Sequence, residues 1–459
     1  MERIVLGMDV GTSALKVSAY STGSKRVILS RNVKYVQEEV RAGVSRLSKY
    51  MDMIVQVINE FKETYDVVCV AFSTQMYSFI VEDEETLVYQ WNVPWEKDEQ
   101  TAAIIRRYTN ISGCPVDTLF PAYKIISAKR QGIKWNIKPY GLQEAIVHSL
   151  TGILAGDYCN MSSSGFMNVK EREWNEELLQ EAGFNIGEMP KKMIFNEVVG
   201  VIVNPAVKEG HRIKVACGLG DGPSASYASK DISNIAANIG TSMAIRGFMK
   251  NIDHVDFGSV WTFAVDEDTW VCGGISSNGS SILDHYRKIK MLQDWELTPS
   301  SANLDISYFP WKNGERTPYW SSNLKETIVG ADMNFCKNDY MCAIFRGIAY
   351  TIANMYDKVN TVIQENDMIC MAGGGVNSEI LMYYLAGTLK VKLAVLRDFD
   401  YLGAYGAAYA AAEAAGESPM RNQDLVKIYI PTGSFEENFE KWRKYADRFA
   451  SLYEREGEA

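Results

Sequence analysis

Apolar residues run from Ile4 to Leu6 and lead into Met8-Asp9-Val10-Gly11-Thr12-Ser13, so residues 3–36 read as a strand, a glycine-bearing turn and a second strand. Leu47 to Phe61 places its apolar side chains at helical spacing, and Val67 to Phe72 is a continuous run of the buried-strand kind. A second cycle starts near residue 235: Ala236 to Ile239 leads into Gly240-Thr241-Ser242, and Met243 to Phe248 reads as the returning strand. Ile213 to Ala216 is a short strand that runs into Gly218-Leu219-Gly220-Asp221-Gly222-Pro223. Ile369 to Ala372 is another, followed by Gly373-Gly374-Gly375-Val376-Asn377-Ser378 and a helix over Glu379 to Lys390 with Asn377 or Ser378 as its N-cap. Phe439, Trp442, Tyr445, Phe449 and Tyr453 fall at helical spacing within Glu436 to Arg455, which predicts a terminal amphipathic helix packed back on the body.

Composition narrows the partners. A chain of 459 residues with 47% hydrophobic residues has room for two or three cored domains. The net charge of -10, with no long basic run, excludes nucleic acid or an anionic membrane as the main partner. An anionic ligand must therefore be held locally, by backbone amides, a metal or a few cations. The eight cysteines are scattered without Cys-x-x-Cys spacing, which argues against a zinc or iron–sulfur cluster, and His148, His211, His254 and His285 form no metal pattern. No apolar run approaches a membrane span and no leader is evident, so a soluble, cytoplasmic protein is expected. Oligomeric state leaves no signature; a homodimer stays open.

Asp9, Gly11, Thr12 and Ser13 at a strand tip suit phosphate and a hydrated divalent metal, although Asp-x-Gly-Thr is equally an ordinary hairpin turn. The Gly-Thr-Ser triplet recurs once in each half, and two such turns can clamp one polyphosphate between domains. The triple glycine lets backbone approach a ligand, or it is a tight strand-to-helix connection. Phosphoryl transfer to an alcohol needs a carboxylate for the hydroxyl proton together with metal and amides for the phosphate charge. Asp221 fits the first role and Asp9, through water, the metal; each is also a common turn residue.

In this order, Asp9 to Ser13, Gly218 to Asp221, Asn238 to Ser242 and Gly373 to Ser378 resemble the FGGY family of carbohydrate kinases. Leu150-Thr151-Gly152, Ser163 to Phe166, Gly274 to Gly279, Gly314-Glu315-Arg316-Thr317-Pro318-Tyr319-Trp320 and Gly403 to Ala408 extend the match across residues 4–412. The resemblance implies an α/β chain of two actin-like (ribonuclease-H-like) domains, mixed sheets flanked by helices, residues 1–232 and 233–459, with the active site in the interdomain cleft. It implies ATP and Mg2+ as cofactors and a small sugar, polyol or sugar acid, gluconate- or xylulose-like, as substrate. Asp221 becomes the catalytic base and Asp9 the magnesium position. Gly11, Thr12, Ser13, Gly240, Thr241 and Ser242 become phosphate ligands, and Gly374, Gly375, Asn377 and Ser378 border the nucleoside. Gln75, Met76, Tyr77, Trp95 and Asn278 join Asp221 on the substrate side.

The chain departs from the family where substrate is held. Tyr77 stands in place of a histidine, and Lys97 and Glu99 stand where the Trp-x-Asp-x-Arg pattern beginning at Trp95 has its Asp and Arg. Ser127 and His285 stand near positions that are tryptophan in relatives. Either the substrate is altered, or the chain binds nucleotide or sugar as a regulator; an intact Asp221 favours catalysis. Among other actin-like ATPases, a dehydratase activator needs clustered cysteines, and a chaperone needs a further domain beyond residue 412. A filament subunit has no need of Gly218 to Asp221 beside Gly314 to Trp320.

Overall fold

The structure, a computed structural model, describes residues 1–36, 40–288, 297–299, 302–363 and 367–456. The first sheet contains β1 (Arg3–Val10), β2 (Ala14–Ser21), β3 (Arg26–Lys34), β4 (Asp66–Thr74), β5 (Val198–Val201) and β6 (Lys214–Gly220). Its order is β5-β6-β4-β1-β2-β3, with β1 parallel to β4, β4 parallel to β6 and the remaining neighbours antiparallel. The second sheet contains β7 (Ile235–Ile239), β8 (Met243–Met249), β9 (Trp261–Ala264), β10 (Trp270–Ser276), β11 (Met368–Ala372), β12 (Lys392–Leu396) and β13 (Leu425–Tyr429), in the order β9-β10-β8-β7-β11-β12-β13. Here β7 pairs antiparallel with β8 and parallel with β11, as β1 does with β2 and β4. The Gly-Thr-Ser echo in the sequence is thus one topology used twice: a hairpin whose first strand is extended on its other side by parallel strands.

Helices cover the sheets with their apolar faces. α1 (Leu47–Thr64) buries Tyr50, Met51, Ile54, Val57, Ile58 and Phe61, and α2 (Leu142–Thr151) joins it in the core outside the first sheet. The second sheet is covered by α4 (Lys337–Ile363), α5 (Glu379–Leu389) and the terminal α7 (Glu436–Glu456), through Phe345, Leu381 and Trp442. Two further helices lie between the sheets: α3 (Asp221–Ala228), which follows β6 directly, and α6 (Leu402–Ala414). Residues of both sheets and both helices, among them Val5, Ala71, Ala236, Cys370, Tyr227 and Ala408, share one core.

That shared core adds something the split at 232/233 does not describe. α6 belongs to the second half by sequence, yet it lies on β1, where a Cβ on Gly7 would come within 2.1 Å of the Ala404 carbonyl. The glycines of Gly218 to Gly222 also differ from a turn. The strand continues to Gly220, Asp221 is already helical, and Gly218, at φ +77°, has room for no Cβ because the Phe72 carbonyl would lie 1.9 Å away.

Two carboxyls are buried beneath the first sheet. Glu144, at the start of α2, accepts from the Gly141 N–H at 3.0 Å, and burial, with a smaller push from Asp157, raises its pKa to about 7. Because the folded chain holds this proton more tightly than the unfolded chain, the contribution is full below the usual carboxylate pKa and is lost as pH rises through about 7. Glu144→Gln keeps an acceptor for Gly141, so its denaturation midpoints at pH 5 and pH 8 are expected to lie closer together than those of the wild type. The difference is on the order of 2 kcal/mol.

Candidate active site

A cleft of about 470 Å³ opens where the C-terminal ends of β1 and β4, the start of α3, and the strands β7 and β8 face one another. Asp9, Gly11, Thr12, Gln75, Met76, Tyr77, Asp221 and Ser242 line it together, drawn from both halves. Both Gly-Thr-Ser turns are closed hairpins: Gly11 N–H donates to the Ala14 carbonyl at 3.1 Å and Gly240 N–H to the Ser242 carbonyl at 2.9 Å. Among the described residues, nothing hydrogen-bonds to the hydroxyls of Thr12, Ser13, Thr241 or Ser242, and all four are exposed or half-buried. Hydroxyls held at the tips of rigid turns, with no internal partner, suit a polyanion.

The second turn is held from behind. Gly279 N–H donates to the Thr241 carbonyl at 3.0 Å and Ser280 N–H to the Gly240 carbonyl at 2.7 Å. Asn278 anchors this brace: it is fully buried and gives its Nδ2 to the Gly314 carbonyl at 2.7 Å, while its Oδ1 accepts from Asn313 N–H. Glu315, 2% exposed, accepts from Ser276 and Asn278, and burial raises its pKa to about 7. Asn278, expected on the substrate side, does not line the cleft, and its amide is hydrogen-bonded inside the protein. In the Gly314–Trp320 string Glu315 is structural, and Arg316 alone reaches the cleft.

Trp95, also expected on the substrate side, does not line the cleft either. It is half-buried, packing edge-on to Trp135 at 6.2 Å against the core of the first half, and Trp91 lines the cleft. Lys97 and Glu99 are exposed and outside the cleft, Glu99 pairing with Arg106. Asp98 between them caps the helix Glu99–Arg106, accepting from Thr101 N–H at 2.7 Å and from the Ser127 hydroxyl at 3.0 Å. A carboxylate is thus present at this corner one residue further along.

The nucleoside-side residues are mixed in their exposure. Gly374 and Asn377 are exposed, with open space where a Cβ on Gly374 would stand. Gly375 is buried against Ile239, and Ser378 is the N-cap of α5, accepting from Leu381 N–H. Gly373, at φ +84°, packs against the Asn238 side chain, and both line the cleft.

The cleft has distinct electrostatics. Asp9 accepts from Ser73 at 2.9 Å; burial, and after it the nearby Asp221, raise its pKa to about 6. Asp9, an oxygen donor that feels the like charge of Asp221, fits a hydrated divalent cation of the magnesium kind, which would offset that repulsion. Asp221 opens to the cleft but is crowded by protein; that desolvation raises its pKa, and Arg246 opposes the rise. Its Oδ1 accepts from Gly222 N–H at 2.7 Å, which leaves the other oxygen for a ligand. Tyr77 adopts φ +63°, a strained conformation for a tyrosine, and its ring meets Phe120 at 5.5 Å and Phe263 at 6.2 Å. Burial keeps its phenol protonated.

Sequence reasoning missed Lys16, Ser73, Trp91, Arg246, Arg316 and Asp400 at or against the cleft. One signal existed for Arg246, a charged residue inside the apolar strand Met243 to Phe248.

Both halves of the chain match known family domains. Residues 4–227 match the N-terminal domain of the FGGY family of carbohydrate kinases and residues 236–415 its C-terminal domain. The chain belongs to that family. It is 24% identical over 447 residues to a gluconokinase of Bacillus subtilis (strain 168), covering 87% of this chain and 85% of that one. It is 20% identical to the xylulose kinase of the same organism, covering 98% and 97%. The crystal structure of gluconate kinase from Lactobacillus acidophilus superposes with a TM-score of 0.81 at 22% identity, covering 99% of this chain and 97% of that one. The ligand-bound xylulose kinase from the same species gives 0.80 at 22%, covering 98% and 97%. The fold is therefore the two-domain, actin-like one. Among the described residues no helix is long and apolar enough to cross a membrane, and no cluster of three or more metal-ligating side chains occurs.

Proposed function

We propose that the chain transfers the γ-phosphoryl group of ATP to a hydroxyl of a small sugar, polyol or sugar acid. The observation that carries this reading is Asp221, whose carboxylate opens into a cleft between two turns of unpaired hydroxyls and an aromatic wall. Asp221 accepts the proton of the acceptor hydroxyl as that oxygen bonds to phosphorus and the bond to the ADP oxygen breaks. The turns Gly11 to Ser13 and Gly240 to Ser242 hold the phosphates, with Lys16 beside the first. Asp9 would hold magnesium through water, and the ion when bound supplies charge neutralisation at the phosphates. Gly374, Gly375, Asn377 and Ser378 border the nucleoside by backbone and cap. Residues 1–232 carry the acceptor wall and residues 233–459 most of the nucleotide contacts. Approach of the two sheets excludes water, so that the sugar hydroxyl is phosphorylated.

The test is ADP release from MgATP over pentuloses, hexuloses, polyols and aldonates. At least one acceptor is expected to raise the rate well above the acceptor-free rate. If none does while ATP still binds, the chain is a nucleotide-binding regulator and not a kinase.

A further inference from the structure

Asp221 has two charged neighbours in the cleft, Asp9 and Arg246. Asp9, with Lys16 in its field, lies on the side of the first phosphate turn. Arg246 shares its surroundings with Asp221, Tyr77 and Cys159. Arg246 lies four residues past Ser242 on β8, roughly 13 Å down the strand from the second phosphate turn. Arg246 therefore stands beside the base candidate and well down the strand from the second turn.

The Arg246 guanidinium is positioned but not neutralised. Its Nε donates to the Ser226 hydroxyl at 3.1 Å. Its Nη1 rests over Gly222, where a Cβ would stand 2.1 Å away, so the glycine after Asp221 makes room for the cation. Among the described residues no hydrogen bond reaches its terminal nitrogens, and no carboxylate lies within ion-pair distance. A guanidinium presents its N–H groups as a planar fork that matches a carboxylate two-for-two. Two further residues line the same cleft. Arg316 lines it as a second cation, 3.9 Å from Asp117. Trp261 lines the cleft too, and among the described residues its buried Nε1 finds no partner.

Resting on the kinase reading, we propose that the acceptor is a sugar acid and that Arg246 is its specificity residue, pairing with the carboxylate while Asp221 faces the hydroxyl to be phosphorylated. A polyol or ketose of the same length leaves the terminal nitrogens of Arg246 unpaired in a desolvated site, and such sites discriminate strongly against the analogue that lacks the partner.

Initial rates of ADP release with five- and six-carbon aldonates, the matching alditols and the matching 2-ketoses test this in wild type, Arg246→Lys and Arg246→Met. Aldonates are expected to exceed their alditols in kcat/KM by roughly 10- to 100-fold. Arg246→Met should erase that preference, chiefly through the KM of the aldonate, and Arg246→Lys should keep part of it. A neutral acceptor that equals or beats the aldonates overturns the sugar-acid assignment and leaves the kinase reading standing. No active acceptor at all removes both. At a pH on the plateau above the Asp221 acid limb of both proteins, an equal loss of kcat for charged and neutral acceptors in Arg246→Met overturns the specificity role, because the residue then acts on phosphoryl transfer itself. If Arg246→Met does not fold, the wild-type preference together with the Lys variant decides.

Discussion

Asp221→Asn is expected to lower kcat by about 10²- to 10⁴-fold, with little change in the KM for ATP. The amide is isosteric and keeps the oxygen that accepts from Gly222 N–H at 2.7 Å, so α3 starts where it does in the wild type. What is lost is a group able to take the hydroxyl proton. The pH profile gives a second readout. Asp221 must be ionised to act as a base, and its pKa is raised above 3.8 by desolvation, with Arg246 as the opposing charge. The rate should therefore fall as pH drops through that raised value, at higher pH than an ordinary aspartate would give. Arg246→Met, which removes the opposing charge, should move this acid limb higher still. Steady-state kinetics across pH check all three statements. Turnover in Asp221→Asn close to that of the wild type would remove Asp221 from the chemistry.

Gly406→Ala carries the second large effect, and its sign is opposite to what helix propensity alone suggests. Gly406 sits inside α6, where alanine is normally better by about 0.5–1 kcal/mol. Here a Cβ would stand 2.0 Å from the Ser224 carbonyl and 2.6 Å from its hydroxyl, and that hydroxyl donates to the Gly403 carbonyl at 2.9 Å. The two helices between the sheets therefore cross in backbone contact. Forcing a methyl into that crossing is expected to destabilise by about 2 kcal/mol or more. Ser224 also lies on the helix that begins at Asp221, so kcat should fall together with stability. Chemical denaturation and initial rates on one preparation check this. A gain in stability would mean that the crossing opens at little cost.

Much of this layout was legible before any fold. The hairpins around Gly11 to Ser13 and Gly240 to Ser242 follow from apolar runs broken by Gly-Thr-Ser, and both form as expected. The helix after the triple glycine starts at Glu379 with Ser378 as its cap, one of the two caps expected. Asp221 stands at the end of its strand, though as the first residue of a helix rather than in a turn. These are local matters: side-chain period, glycine conformation and capping are properties of a few adjacent residues.

The substrate side was less legible, and for a specific reason. Trp95, Lys97 and Glu99 fit a linear pattern, yet none of the three lines the cleft, and a linear pattern does not report which way a loop turns its side chains. Asn278 carries the right chemistry for a ligand, yet its amide is spent on Gly314 and Asn313, partners 36 and 35 residues away. No local signal reports such consumption. Arg246 shows the converse. Its strand was read correctly, but only Gly222 and Ser226, from the other half of the chain, give its guanidinium a direction.

By itself the sequence determined the repeated strand–turn–strand cycles, the two Gly-Thr-Ser turns, the base candidate at the end of a strand and a net charge of -10 with no long basic run. All of these are set by neighbours in the chain or by composition. Only the tertiary structure decided that α6 crosses to the first sheet, that the Asn278 and Glu315 side chains are spent on partners behind the second turn, and that, among the described residues, none pairs with the terminal nitrogens of Arg246 in the cleft. Those outcomes depend on which polar groups find partners across long sequence separations, and pairing of that kind exists only once the two sheets have packed around one shared core.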